Sequence, residues 1–571
     1  MTSGSQDGAV WQADVVTLGS GGAALAAAVS AADAGLKVVV LERDRLLGGT
    51  SAISGGALWI PGSRQAVSGG FEDSIDNART YLQNVLGESY RSDVVEAFLQ
   101  RGCEALAFLE DHTELKYSVR PLSPDYYPEL PGATDRGRAL EVGEFDGKQL
   151  GAYFELLRPP PSAFMGFGGM MVNRPDIYHY LHMWKSAKSF AHMARLALRF
   201  GWDRFRYPRG TRLVIGNGMI AALLRAALDR GVQFHCGVTT RSFMTADDGS
   251  VAGVVAETAD YMTVRVQARR GVILATGGLS RRANVLELRP DTGGDHVSMA
   301  APMADGTMIS LAARQLGAQV GANLQSNFYW APMSEGKARD GSVEVFPHIV
   351  TDRAKPGIIA VRDPGVRFTD EAASYHRFVT AMRSERRRGA SRFYLIADRK
   401  ALRAYGLGLV RPGPGLRGQF LDSGYLVKAS SVASLAARLE LNSSALEATI
   451  DEFNRDAAAG VDTRFHKGGN SQDRAMGDFT AWSPCLAPLD TPPFYAVRIV
   501  TGDLGSAAGL MTDDHARVLR ADGSIIRNLY AVGTDMNSPM GGAYPGPGIV
   551  LGTGLTFGYI AARTIAETIA G

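Results

Sequence analysis

The residues best placed to do chemistry stand near the end of the chain, in GGAYPGPGIVLGTG at 541–554. Tyr544 is followed by Pro545 and Pro547, which fix φ and remove two backbone donors, and by Gly546 and Gly548, which let the main chain approach a partner closely. Such a stretch holds one phenol and one N–H still, a donor pair for a ligand oxygen. It equally describes a rigid loop that feeds a helix, with Tyr544 packed as an ordinary aromatic. The choice depends on what the rest of the chain brings to that loop.

The front of the chain supplies a second chemical signal. DVVTL at 14–18 reads as a buried strand, GSGGAALAAAVSAADAGL as a glycine turn and helix, and KVVVLE as a second strand. Gly19, Gly21 and Ala24 fall on the three positions of a dinucleotide fingerprint, with Gly22 and Ala23 between them. The helix N-terminus favours a pyrophosphate there, and Glu42, about 20 residues on, suits a ribose hydroxyl. RLLGGTSAISGGALWIPG follows at once, and its Gly48, Gly49, Thr50, Ser51, Ser54, Gly55 and Gly56 predict that the chain keeps running along an extended cofactor. NAD and FAD are both open to this point. Two later segments favour FAD: GVILATGG, with Ala275, Thr276 and Gly277, and NLYAVGTDMNS, with Gly533 and Asp535. Both resemble the closing strands of FAD folds, where a late acid meets the ribityl chain. The helix after Gly548 adds Val550 and Leu551 to the expected flavin contacts.

Composition narrows the rest. With 571 residues, 45% of them hydrophobic, the chain can bury a large core and predicts two or more domains. Sixty basic against 58 acidic residues give a net charge of +2, which offers nothing to nucleic acid. Cys103, Cys236 and Cys485 are too few and too scattered for a disulfide framework. His179 and His182 share a helix face without a third ligand, so no metal site is expected. Ser384–Gly389, SERRRG, reads as a solvated charge run. No secretory leader is evident and no uninterrupted apolar run reaches the length of a membrane span, so the expected location is cytoplasmic. Residues 176–207 form a basic, aromatic helical insertion, and such a surface suits peripheral membrane contact as well as packing on its own domain.

Taken together, GSGGAA, GGTSAISGGALWIPG, SPDYYPELPG (123–132), RFTDEAASYHRF (367–378), FYAVRIVTGDLG (494–505), LYAVGT and YPGPG resemble the flavoprotein family of fumarate reductases and 3-ketosteroid dehydrogenases, its Δ1-dehydrogenase branch above all. The resemblance covers nearly the whole chain. It implies a discontinuous, Rossmann-like α/β FAD-binding domain (1–291 plus 490–571, with the helical insertion at about 151–210) and an inserted α+β substrate domain (292–489). It also implies that Tyr126, Tyr375, Tyr544 and Gly548 carry the chemistry. There are two departures: Gly505-Ser506-Ala507-Ala508-Gly509 lacks the family's lysine, and Thr534-Asp535-Met536-Asn537 lacks its usual asparagine.

The reaction so implied introduces a C=C bond beside a ring ketone, with 1,2-desaturation of a 3-ketosteroid as the leading case. Tyr544 and the Gly548 N–H would steady the enolate oxygen. Tyr375 would take the α-proton with Tyr126 assisting, and the hydride would pass to flavin N5. Another ring position, a smaller cyclic ketone and a fumarate-reductase-like alkene reduction are the alternatives. FAD is expected to be non-covalent, since no histidine or cysteine sits in a flavin motif. Trp330 suits either a flat ligand pocket or the core. The sequence leaves the electron acceptor unidentified.

Overall fold

The computed structural model describes residues 9–567 apart from 167, 184–185, 283–293, 324, 338–340 and 414–416. Two eight-stranded sheets organise the chain. In the first, Val10–Leu18 lies between Val38–Glu42 and Thr263–Leu274, all parallel, and Gln233–Cys236 extends the parallel edge. Val38–Glu42 and the C-terminal halves of Val10–Leu18 and Thr263–Leu274 are buried nearly throughout, the mark of strands covered on both faces. Thr263–Leu274 forks: its first half pairs antiparallel with Val251–Glu257, while Val272–Leu274 pair parallel with Leu529–Ala531 of the strand Ile525–Ala531. This fork brings GVILATGG and NLYAVGT side by side at the strand ends.

The fingerprint helix Gly22–Asp33 packs on the last helix, Ile549–Glu567. Alanine and glycine faces allow the two backbones to come very close: a Cβ on Gly558 would lie 2.5 Å from the Ala23 carbonyl oxygen. Ile549–Glu567 also has the length and apolar composition of a membrane span, contrary to the sequence expectation, and most of it is buried inside the protein. Its hydrophobicity is that of a core helix.

The second sheet is built on Phe494–Ser506. It pairs with Phe328–Lys337 on one side, Phe393–Ala397 on the other, and short strands at His296–Ser298 and Val427–Ala429. Sequence placed residues from 490 onward in the cofactor domain. The strand Phe494–Ser506 instead forms the spine of the second sheet, and the chain returns to the first sheet at Arg517–Leu519. The strand is buried along most of its length, with Arg498 the exposed residue. The other expected boundary, 291/292, lies outside the described residues. The insertion is not purely helical: a hairpin, Met165–Gly166 with Met170–Met171, precedes the helices Arg174–Leu181 and Ala187–Arg204.

Candidate active site

Three tyrosines from three distant segments meet at one point. Tyr375 is the first residue of the helix Tyr375–Arg387, capped by Ser374, whose side chain accepts from the Arg377 N–H. Its ring stands edge-on to Tyr126 at 5.4 Å and to Tyr544 at 5.2 Å, and its hydroxyl is within electrostatic reach of both of theirs. Tyr126 and Tyr544 lie 5.6 Å apart. All three are buried. Burial pushes the Tyr126 phenol up to about 12, with the Tyr375 hydroxyl and the fields of Arg120, Arg353 and Arg174 pulling the other way. Burial holds Tyr544 higher, and Tyr375 stands well above the usual phenol range, raised further by its two tyrosine neighbours.

The loops that present these phenols are fixed to each other. Pro545 O accepts from the Tyr126 N–H at 2.9 Å and from the Tyr81 hydroxyl at 2.6 Å. Gly546 presses on Trp59, with only 2.3 Å for an added Cβ, and Trp59 Nε1 donates to Asp125 at 2.7 Å. Asp125 in turn is paired with buried Arg138, which also holds Asp73. Tyr329 packs edge-on to the Tyr544 ring and donates to Ser538 Oγ at 2.8 Å. Gly548 has φ +99° and backs onto the Ala57 carbonyl, so no side chain fits there. Among the described residues no acceptor takes its N–H.

The expected cofactor residues fall into two groups. Gly21, Ala23, Gly49, Thr50, Ser51, Ser54, Gly55, Thr276, Gly277, Gly533, Gly548, Val550 and Leu551 keep solvent access within otherwise buried stretches. A Cβ on Gly55 would meet nothing within 4 Å, and one on Gly49 only Gly21 at 3.9 Å, so backbone is bared to a ligand along this line. Gly22 N donates to Ser51 Oγ at 3.0 Å, joining the two glycine loops. The remaining members are walls. Gly19 packs on the Ala275 carbonyl, Ala24 lies in the helix interface, and Gly56 touches the Ile215–Gly216 backbone. Gly48 N donates to Ser20 Oγ, which donates to Glu42 at 2.6 Å.

The two acids that sequence assigned to ligand contact also bond the protein's own loops. The Glu42 carboxylate accepts from Ser20 N, Ser20 Oγ and Asp44 N, and burial still raises its pKa above the usual range. Asp535 accepts from Thr276 N, Thr276 Oγ1 and Gly278 N, clamping the glycine turn after Leu274. The carboxylates stand behind the glycine loops and fix their shape.

The family model of FAD-binding domains matches residues 14–551. The chain belongs to this flavoprotein family. FAD is its cofactor. The flavoprotein is 38% identical over 565 residues to 4-oxocyclohex-2-ene-1-carboxylate 5-dehydrogenase of Sinomonas cyclohexanicum, covering 97% of this chain and 94% of that one. It is 34% identical to 3-oxosteroid 1-dehydrogenase of Mycobacterium tuberculosis, covering 98% and 99%. The crystal structure of 3-ketosteroid Δ1-dehydrogenase from Sterolibacterium denitrificans, in complex with 1,4-androstadiene-3,17-dione, superposes with a TM-score of 0.89 at 32% identity, over 98% of this chain and all of that one.

Neighbouring residues of the flavoprotein's site take supporting roles. His376 packs against Tyr544 at 5.8 Å and accepts from the Trp330 N–H, and burial lowers it to about 3, so it is a neutral ring. Trp330 itself is core, with Arg383 stacked over it. In RFTDE, Arg367 holds Glu371 and Asp462 in a buried network that fixes the approach to Tyr375. In the departing segment, Ser506 Oγ accepts from Leu279 N, and Ala507 and Ala508 donate to Asn327 O.

Ser334, His348 and Asp352 have the spacing of a hydrolase triad, 2.8 and 2.6 Å, but all three are sealed in the core and Tyr425 occupies the serine. His179 bonds Ser189, His182 bonds the Tyr178 carbonyl, and among the described residues no cluster of metal-ligating side chains forms.

Proposed function

We propose that this flavoprotein desaturates a ring ketone between its α and β carbons, with 3-ketosteroids as the substrate class and the C1–C2 bond as the target. The observation that carries the reading is the single buried cluster of the Tyr126, Tyr375 and Tyr544 rings, with the Gly548 N–H of the Tyr544 loop taken by no acceptor among the described residues. Tyr544 Oη and Gly548 N–H take the ketone oxygen, which acidifies the α-hydrogen. Tyr375 Oη takes the α-proton and passes its own to Tyr126, whose ionised form the fields of Arg120, Arg353 and Arg174 favour. The net change at the protein is one proton gained by an ionised Tyr126, and the substrate becomes an enolate. FAD, when bound, supplies the acceptor for the β-hydrogen as hydride. Gly21, Gly22, Gly49, Ser51, Thr276 and Gly533 are the residues we assign to holding it.

A second reading has its own observation. Arg120 and Arg174 both reach the Tyr126 hydroxyl with their fields, and Arg174 is exposed while bonded to the Leu122 carbonyl at 3.4 Å. Such a pair suits a carboxylate on a small ring ketone, the substrate type in the names of two Sinomonas relatives.

Anaerobic mixing with 4-androstene-3,17-dione, and separately with 4-oxocyclohexanecarboxylate, distinguishes the readings. Flavin bleaching with a steroid product two hydrogens lighter supports the first. Bleaching with the carboxylate alone moves the assignment to the second, and bleaching with neither ends both.

A further inference from the structure

The sealed arrangement of Ser334, His348 and Asp352 reaches no substrate, yet it anchors a loop that bears on the tyrosines. The loop joins the strands Val343–Pro347 and Ile358–Arg362. The His348 ring is bonded to Asp352 at 2.6 Å and to Ser334 at 2.8 Å, and the Asp352 carboxylate also accepts from the Gly408 and Arg353 N–H groups. All of this is buried, so Arg353 springs from a fixed base.

Arg353 is 4% exposed, and its side-chain hydrogen bonds all end on backbone carbonyls. Nε donates to His348 O, and Nη1 donates to Glu371 O at 2.7 Å and to Ala373 O at 3.1 Å. Ala373 immediately precedes Ser374, the cap of the helix that opens with Tyr375. The guanidinium carbon lies 4.7 Å from the ring centre of Phe378, in the first turn of that helix. Arg353 therefore ties the Tyr375 loop to the sealed base.

Fixing a loop does not by itself call for a cation. A buried guanidinium is costly unless an acid is paired with it, and a helix dipole disfavours a cation at the helix start. The neighbouring acids are committed elsewhere: Glu371 to Arg367, Asp352 to His348, and Asp370 to the Ala372 N–H. Among the described residues none of them is hydrogen-bonded to the guanidinium; they act on it through their fields. Burial lowers Arg353 to about 10, so it keeps its charge near neutrality. Arg353 and Tyr126 feel each other's charge. Arg120 and Arg174 act on Tyr126 as well, but Arg120 stands 3.8 Å from Glu141 and Arg174 is exposed to screening water. Of these arginines Arg353 alone is buried.

We propose that Arg353 is a positioning residue for the ring-ketone desaturation read above, on which this inference rests: its hydrogen bonds hold the Tyr375 loop, and its charge keeps Tyr126 in the ionised form that receives the proton. Once the proton arrives, Tyr126 is neutral and the same charge favours the release of that proton, so the site is reset for the next substrate. Arg353 acts through the two tyrosines.

The test follows flavin bleaching on anaerobic mixing of the holoprotein with 4-androstene-3,17-dione, and separately with 4-oxocyclohexanecarboxylate, in Arg353→Gln and Arg353→Lys. Both variants lose the forked hold on the loop, and only lysine keeps a charge. Bleaching slows about 30-fold or more in Arg353→Gln and about fivefold or less in Arg353→Lys, with flavin content unchanged. In a Tyr126→Phe background Arg353→Gln slows bleaching less than it does alone, because the phenolate it served is gone. Equal losses in the glutamine and lysine variants, or a glutamine loss that multiplies in full with that of Tyr126→Phe, assign Arg353 to structure alone and overturn the proposal. Should Arg353→Gln fail to fold, Arg353→Lys decides, and a loss of about 30-fold or more in that variant overturns it. Bleaching of the unmodified protein by neither ketone overturns the reaction and this inference together.

Discussion

The Pro545 carbonyl oxygen accepts two buried donors, the Tyr126 backbone N–H at 2.9 Å and the Tyr81 hydroxyl at 2.6 Å. Two loops more than 400 residues apart in sequence are thereby locked at one atom, each within a residue of the phenol it presents. Positioning tolerances in catalysis are below an ångström, so this junction governs how Tyr126 meets Tyr544. Tyr81→Phe removes one donor, leaves the Tyr126 bond, and also frees the Tyr127 N–H, which donates to the Tyr81 hydroxyl at 3.2 Å. The expected result is a stability loss of about 1–2 kcal/mol and a kcat lowered about tenfold, with flavin content unchanged. Chemical unfolding and steady-state kinetics read the two effects; an unaltered kcat would separate the junction from catalysis.

Removing the phenols themselves tests the roles directly. Tyr375→Phe and Tyr544→Phe keep the ring packing at 5.2 Å and delete only the hydroxyls. Each is expected to lower kcat by about 10²–10⁴-fold, the range for a lost general base or enolate donor. Tyr126→Phe should cost about as much as Tyr375→Phe, because Tyr375 can take the α-proton only while its own passes to Tyr126. Rapid reduction of the flavin by substrate, followed at its visible band, isolates this step. A Tyr375→Phe protein that bleaches at the normal rate would contradict the assignment.

The pH dependence follows from burial. Tyr126 is pushed up to about 12, so its ionised form is scarce at neutral pH and grows as pH rises. The proton-accepting form is the deprotonated one, so the rate of flavin reduction should climb about tenfold per unit across the alkaline range before the protein itself fails. No fall on the alkaline side is expected from His376, which burial keeps neutral. Tyr126→Phe should flatten the climb. Equal slopes in the two proteins would place the titrating group elsewhere.

Much of the fold and of this site could be read from sequence, because the informative residues there are glycines, prolines and tyrosines whose backbone demands are local. GSGGAA, ATGG and YPGPG require close approaches or positive φ, and Gly19 and Gly548 both have φ +99°. What could not be read depends on long-range pairing. Nothing local says that Phe494–Ser506 pairs along both its edges in the second sheet, or that Tyr81 and Trp59 support the tyrosine loop. The strand-end acids were legible as acids at the right places, but their partners were not. Glu42 and Asp535 bond the protein's own loop N–H groups, a choice made only when the two glycine loops are brought together.

The same loop that delivers Tyr375 sits on a buried carboxyl pair, which makes stability fall as pH rises. Asp370 and Asp473 are hydrogen-bonded to each other, and Asp473 is 1% exposed. Burial, then the charge of Asp370 and its hydrogen bond, push Asp473 up to about 8. An unfolded aspartate titrates near pH ~3.9, so between that value and about 8 the folded chain binds a proton that the unfolded chain has lost. The contribution is complete below the unfolded value and disappears as pH passes through about 8, at up to about 1.4 kcal/mol per pH unit. Asp473→Asn keeps a hydrogen-bond donor toward Asp370 and removes the titration. The variant should gain stability relative to the unmodified protein as pH rises from 6 to 9, measured as Tm by flavin fluorescence. A constant difference across that range would mean that the pair does not share a proton, and the link between the Tyr375 loop and pH would be lost with it.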